Sequence, residues 1–309
     1  MNWKEAIHKI HCRRQYLLKK ACCTHMRGFL RCGDDDDNED GDGTVPPLLG
    51  YVISTNENHV EAFKTIKPQF VRLAGATLDN FNRTVNRVRW YRSRGVWVVL
   101  LIADRNNAEN TPVVAEHYAK FLRSDGVIYE CWNEPNLMVP PWADYPSNYL
   151  DPDRYFNIFT EFRNRLKIVD PNIKVTLGGL AGGAKDKEGT NLKSVSALTY
   201  RQRLADLGIV PLIDYWNFHT YGDKKFYTNL AQCRKLDPGK QIIIGEFGSD
   251  RDEATKIAHY KKCIDRFTAN KISIAIVYAW ENGGEWSVCT KPAYKECIRT
   301  YRRHPSTIQ

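Results

Sequence analysis

A single (β/α)8 barrel is the fold class this sequence predicts, and three observations predict it. Short apolar, β-rich runs alternate strictly with helical stretches, which argues for a parallel sheet with right-handed crossovers. Eight such units in about 250 residues match the usual size of a closed barrel. Polar and aromatic residues collect at the C-terminal ends of several runs, the end at which such barrels do chemistry. A doubly wound open sheet is the competing architecture, but no glycine-rich phosphate fingerprint follows the first run.

In chain order the expected strands are Leu48–Thr55, Phe70–Thr77, Val96–Asp104, Val127–Asn136, Lys174–Ala181, Tyr215–Gly222, Gln241–Gly248 and Ile272–Trp280. Between them lie expected helices at His59–Lys67, Asp79–Arg94, Pro112–Arg123, Asp153–Val169, Ser196–Leu207, Tyr227–Leu236 and Glu253–Ala269. A last one, Pro292–Arg302, follows the eighth strand. The chain thus divides into a basic arm (1–33), an acidic linker (34–47) and one barrel domain (48–309).

Composition bounds the function classes. With 42% hydrophobic, 26% charged and 12% aromatic residues, the chain can bury a sizeable core, which excludes disorder throughout. No run of eighteen uninterrupted apolar residues exists, so no membrane-spanning helix is expected. The net charge of +9 raises nucleic acid or an anionic surface as partner. The arm's excess of basic side chains cancels the seven acids of residues 34–43, so the whole excess lies on the barrel domain. Cys12, Cys22, Cys23, His25 and Cys32 match no familiar zinc spacing. The acidic run offers no working calcium loop: the register from Asp36 puts Pro47 where a bidentate Glu is needed. Nine irregularly spaced cysteines read as free thiols, with Cys289 and Cys297 able to pair only in an oxidising compartment. The first thirty residues lack the apolar core of a secretory signal, so a cytoplasmic location or non-classical delivery is expected.

The strand ends carry the chemistry. They hold Arg72 in the second run, Asp104 in the third and Trp132-Asn133-Glu134-Pro135-Asn136 in the fourth. Next come Asn217-Phe218-His219-Thr220-Tyr221-Gly222 in the sixth, Gly245-Glu246-Phe247-Gly248 in the seventh and Tyr278-Ala279-Trp280-Glu281-Asn282 in the eighth. Strand alternation places His219 with Tyr221 on one face, Ile242 and Ile244 with Glu246 on another, and Glu130 with Trp132 and Glu134 on a third. Two carboxylates across one barrel mouth, Glu134 and Glu246, are what glycosidic cleavage requires: one protonates the leaving oxygen, the other attacks the anomeric carbon. A cation near Glu246 would keep it charged, and a drier, aromatic wall would keep Glu134 protonated.

The Trp-Asn-Glu-Pro-Asn of 132–136, His-x-Tyr of 219–221, Gly-Glu-Phe-Gly of 245–248 and late Trp280 resemble the clan A glycoside hydrolases. Tyr-Glu-Cys at 129–131 and Gly-Gly at 178–179 most resemble family 39 and its relatives. The resemblance covers residue 48 to about 300. It implies a retaining β-glycosidase on a (β/α)8 barrel, with Glu134 as acid/base and Glu246 as nucleophile. It also implies that Asn133 binds the sugar 2-hydroxyl, that Tyr221 and Arg72 position Glu246, and that His219 lines the same subsite. Trp280 becomes the floor under the reacting ring, followed by a non-proline cis peptide to Glu281. No metal or organic cofactor is implied. The partner is an oligo- or polysaccharide, with an anionic glycan suggested by the basic charge, and neither nucleic acid nor a membrane span is expected. A glycan-binding barrel without catalysis and a transglycosylase on the same site are the alternatives.

Other residues are weighed against plainer roles. Glu130 reads as a structural buried charge paired with Arg72. Asp104 fits substrate binding or a cap equally well, and Glu281 with Asn282 fits a neighbouring sugar or a solvated loop. Trp142, Tyr145 and Tyr149 follow Glu134 in a proline-rich loop and suggest sugar platforms. Trp90, Tyr91 and Trp97 read as packing.

Overall fold

The computed structural model describes residues 47–54, 60, 63–64, 67–137, 149–182, 184, 194–249 and 253–278, all within one compact unit, Val45–His304. The basic arm, the linker up to Pro46, most of the expected 59–67 helix and the expected Pro292–Arg302 helix lie outside the described residues.

Nine parallel strands form the sheet: β1 Leu48–Ser54, β2 Phe70–Ala76, β3 Trp97–Ile102, β4 Val127–Cys131, β5 Lys174–Leu177, β6 Leu180–Ala181, β7 Tyr215–Thr220, β8 Gln241–Phe247 and β9 Ile274–Val277. The pairing order β5-β4-β3-β2-β1-β9-β8-β7-β6 closes through Thr176 of β5 against Tyr215 of β7. The expected fifth strand is split by Gly178-Gly179 into β5 and β6, so nine segments make eight staves. The barrel is therefore closed, as the alternation predicts.

Six helices are described among these strands: α1 Phe81–Arg92, α2 Thr111–Leu122, α3 Pro152–Val169, α4 Ala197–Asp206, α5 Asp223–Leu236 and α6 Glu253–Ala269. Asp151 caps α3 by accepting the Asp153 N–H at 3.0 Å, with Pro152 in the first turn, and Ser196 caps α4 through the Thr199 N–H at 3.2 Å. The expectation that α5 begins at Tyr227 is wrong by four residues. Charge at Asp223-Lys224-Lys225 reads as loop, yet an acid suits the positive end of a helix and Phe226 is fully buried there. Asp223 is further tied to α6 through Lys262 and Arg266.

Strand parity sorts the side chains into two layers. Tyr51, Ile53, Val71, Leu73, Val98, Leu100, Trp216, Phe218, Ile242 and Ile244 pack outward against buried helix residues such as Val88, Tyr118, Phe159 and Phe267. Val52, Phe70, Val99, Ile128, Ile243, Ile274 and Ile276 fill the barrel interior. This apolar plug closes the barrel and leaves polar side chains only toward the C-terminal strand ends.

Candidate active site

Two departures from regular strand geometry aim the carboxylates, and both correct the alternation argument. β4 ends at Cys131, not Asn136, and the chain then turns through positive φ at Trp132 (71°) and Glu134 (48°). Trp132 therefore joins the outer barrel–helix layer instead of sharing a face with Glu130. In β8 the pairing with β7 jumps from Phe218↔Ile244 to His219↔Glu246, and the pairing with β9 from Ile244↔Ala275 to Phe247↔Val277. The extra residue, Gly245, is a β-bulge. Ile242 and Ile244 thus face the helices while Glu246 faces the mouth, so these three do not share a face.

The positive-φ turn after β4 is held from all sides. Trp132 donates its N–H to the Ile102 carbonyl at 2.9 Å, and Glu134 donates to the Gly179 carbonyl at 3.1 Å. Buried Asn136 donates to the Ala181 and Val195 carbonyls and accepts the Ala181 N–H. Tyr155 of α3 donates its hydroxyl to the Cys131 carbonyl at 2.8 Å and accepts the Gly178 N–H at 2.9 Å. Non-glycine residues in this region cost about 1–3 kcal/mol each and persist only where the surroundings over-determine them.

Inside the mouth the polar groups form one network. Arg72 of β2, 1% exposed, gives Nε and Nη2 to Glu130 at 2.5 and 2.9 Å, Nη2 to Asn133 Oδ1 at 2.8 Å and Nη1 to Glu246 Oε1 at 2.7 Å. The second oxygen of Glu246 accepts the Tyr221 hydroxyl at 2.6 Å. His219 Nδ1 lies 2.8 Å from Glu134 Oε1 and 3.4 Å from Glu246 Oε2. Its Nε2 is buried without a hydrogen-bond partner, so the proton belongs on Nδ1, facing the carboxylates. Burial pulls the imidazolium down, but Glu246 and then Glu134 outweigh it and raise the His219 pKa, Arg72 opposing. Desolvation, then Glu246, pushes the Tyr221 phenol up, so that it stays a donor.

Of the residues singled out in the sequence, Arg72, Asn133, Glu134, His219, Tyr221 and Glu246 are brought together. Glu130 pairs with Arg72, as expected. Glu134 is not the drier carboxylate: its side chain is 18% exposed against 9% for Glu246. The loop after β4 leaves it standing at the opening, while Glu246 sits under Tyr221. Asp104 ties down its own turn, accepting from Asn106, Asn107 and the Asn110 amide, which is the capping role. Cys131, Cys233 and Cys263 are buried free thiols. Trp142, Tyr145, Trp280, Glu281, Asn282 and the Trp280–Glu281 peptide lie outside the described residues. Asn217 escapes the sequence reading: its amide donates to Glu130 and to the Leu177 carbonyl. Its position two residues before His219, on the same face of β7, is the signal that was present.

Glu134, His219 and Glu246 also offer three ligand atoms within 4.8 Å of one another, a spacing that a cation can bridge. Both oxygens of Glu246 are already engaged by donors of the protein, one of them a guanidinium, which disfavours a metal there. No described helix is long and apolar enough to cross a membrane.

No family model matches this sequence, and no curated protein matches it. Solved structures do match the fold. An endo-β-1,4-mannanase from Thermotoga petrophila aligns with TM-score 0.58 at 12% identity, over 85% of this chain and 77% of that one. A GH5-4 broad-specificity endoglucanase from Clostridium acetobutylicum gives 0.60 at 12%, over 83% and 97%. A GH30 endoxylanase from Clostridium papyrosolvens gives 0.57 at 11%, over 84% and 72%.

Proposed function

We propose that this chain is a glycoside hydrolase of clan A type that cleaves β-linked glycans with retention of configuration. The observation that carries the reading is the pair Glu134 and Glu246 in one barrel mouth, each presenting an oxygen within 4.8 Å of the other's. Retaining enzymes hold their carboxyl groups about 5–5.5 Å apart, whereas inverting enzymes need about 6.5–9.5 Å to admit a water. The fold shared with a mannanase, an endoglucanase and an endoxylanase supports the substrate class. Kinship with family 39 in particular rests on the sequence motifs.

In this reading Glu246 attacks the anomeric carbon, and Glu134 gives its proton to the departing oxygen. Glu134 then takes a proton from the incoming water, whose oxygen displaces Glu246 and frees the sugar. Arg72 and Tyr221 hold one oxygen of Glu246 each and stabilise its negative charge. Arg72 occupies the Asn133 carbonyl oxygen, which leaves the Asn133 amide to donate to the sugar 2-hydroxyl. His219 lines the same subsite, with Trp280 beneath the ring and Trp142 and Glu281 toward neighbouring sugars. Hydrolysis needs no metal or organic cofactor.

A panel of aryl β-glycosides, with Glu134→Ala and Glu246→Ala, tests this reading. Glu246→Ala abolishes turnover on every substrate, and azide rescues it to the α-glycosyl azide. Glu134→Ala forms the covalent intermediate on activated aryl substrates and then stalls, giving a burst that azide relieves to the β-azide. Reversed outcomes would exchange the two roles. If both variants hydrolyse normally, the glycosidase reading is lost, and a catalytically silent glycan-binding barrel takes its place. Products longer than the substrate would point to transglycosylation on the same site.

A further inference from the structure

Glu130 is the most heavily bonded side chain of the mouth, yet neither step of the reaction uses it. It is fully buried. Its Oε2 accepts Arg72 Nε at 2.5 Å, while its Oε1 accepts Arg72 Nη2 at 2.9 Å, the Gly179 N–H at 3.0 Å and the Asn217 amide at 3.0 Å. A carboxylate buried for packing alone needs its charge paired; this one also spends its oxygens on three separate staves, β2, β7 and the β5–β6 break.

We propose that Glu130 is a positioning residue that aims Arg72 at Glu246 and holds the backbone on which Glu134 rests. The first half follows from the planarity of guanidinium. Once the Nε–Nη2 edge is docked on Glu130, the directions of the remaining N–H groups are fixed. Those groups meet Glu246 Oε1 through Nη1 and Asn133 Oδ1 through Nη2. The second half follows from Gly179, which gives its N–H to Glu130 and offers its carbonyl to the Glu134 N–H. One carboxylate thereby sets the geometry of both others without touching the substrate. The inference rests on the roles proposed above for Glu134 and Glu246.

Glu130→Gln tests it, because the amide conflicts with one donor only. Three of the four contacts converge on Oε1, so the glutamine oxygen takes that place, and its NH2 then faces Arg72 Nε, donor against donor. In a crystal structure of the variant we expect the guanidinium to swing away and Nη1 to leave Glu246. A retained Arg72–Glu246 contact overturns the proposal, whatever the activity. On an aryl β-glycoside we expect kcat to fall about a hundredfold with little change in KM, as misplacement of about 1 Å does. In an Arg72→Met background the same change costs less than about threefold, because the route through Arg72 is already lost. Independent, multiplying losses overturn it too. If Glu246→Ala is dead while Glu130→Gln keeps the parent kcat, this inference alone fails; if Glu246→Ala is active, the reading beneath it fails. Should the Met variant not fold, the crystal structure and the kcat–KM split still decide.

Discussion

The tyrosine and the histidine over the two carboxylates do different work. Tyr221 gives a single charge-assisted hydrogen bond to Glu246, at 2.6 Å, from a ring that is 40% exposed. Such bonds contribute about 1.5–3 kcal/mol. Tyr221→Phe is therefore expected to lower kcat/KM on aryl β-glycosides about ten- to a hundredfold while leaving the melting temperature nearly unchanged. His219 is fully buried, and its pKa is raised above the ordinary value of 6.5 by Glu246 and Glu134. Its contribution to stability is thus fully present below pH 6.5 and is lost as pH rises through the higher folded value. Urea melts across that window show the loss for the parent, and His219→Gln, which cannot take the proton, flattens it. Arg72, Glu134, His219, Tyr221 and Glu246 were all legible in the sequence because each ends an otherwise apolar run. The direction each side chain takes was not, since strict alternation fails at Trp132 and Gly245.

At the level of elements, the mouth depends on backbones that approach closely. A Cβ on Gly179 would lie 2.1 Å from His219 Nε2, and the neighbour is a fully buried ring that cannot retreat. Gly179→Ala is expected to cost about 1–3 kcal/mol, with the ring pushed off Glu134 and activity lost with it. Tyr155→Phe leaves the Gly178 N–H and the Cys131 carbonyl without their shared partner, a loss of about 1–3 kcal/mol that chemical denaturation will measure. Neither residue could be ranked from sequence. A Gly-Gly pair reads as a turn and an aromatic on a helix reads as core; their meaning lies in contacts between segments more than twenty residues apart. The early start of α5 escaped for a similar reason, since only the buried Phe226 shows that the charged turn before it is helical.

For the whole molecule, the eightfold alternation was legible because each strand of a parallel barrel is buried on both faces and so reads as an uninterrupted apolar run. The arm and the acidic linker contribute nothing recognisable to that pattern. Deleting residues 1–43 is expected to leave the melting temperature and hydrolysis nearly unchanged, and scanning calorimetry with the aryl-glycoside assay checks both. The net charge of +9 motivates a further expectation: a uronate-bearing glycan is turned over faster than its neutral counterpart at low ionic strength, the advantage fading with salt. Equal rates at low salt would remove it.

The bulge at Gly245 gives β8 a property that barrel strands ordinarily lack. Both neighbouring strands treat this residue as supernumerary: β7 passes from Phe218 to His219, and β9 from Ala275 to Val277, as though it were missing. A Cβ there would sit 2.4 Å from Asn217 Oδ1, so the position accepts nothing larger than glycine. Removing the residue altogether leaves Ile243 inward, Ile244 outward and Glu246 inward, still opposite His219. The strand therefore carries one link of slack. Omitting Gly245 is expected to be milder than replacing it with alanine, an inversion of the usual rule that a deletion inside a strand is the graver injury.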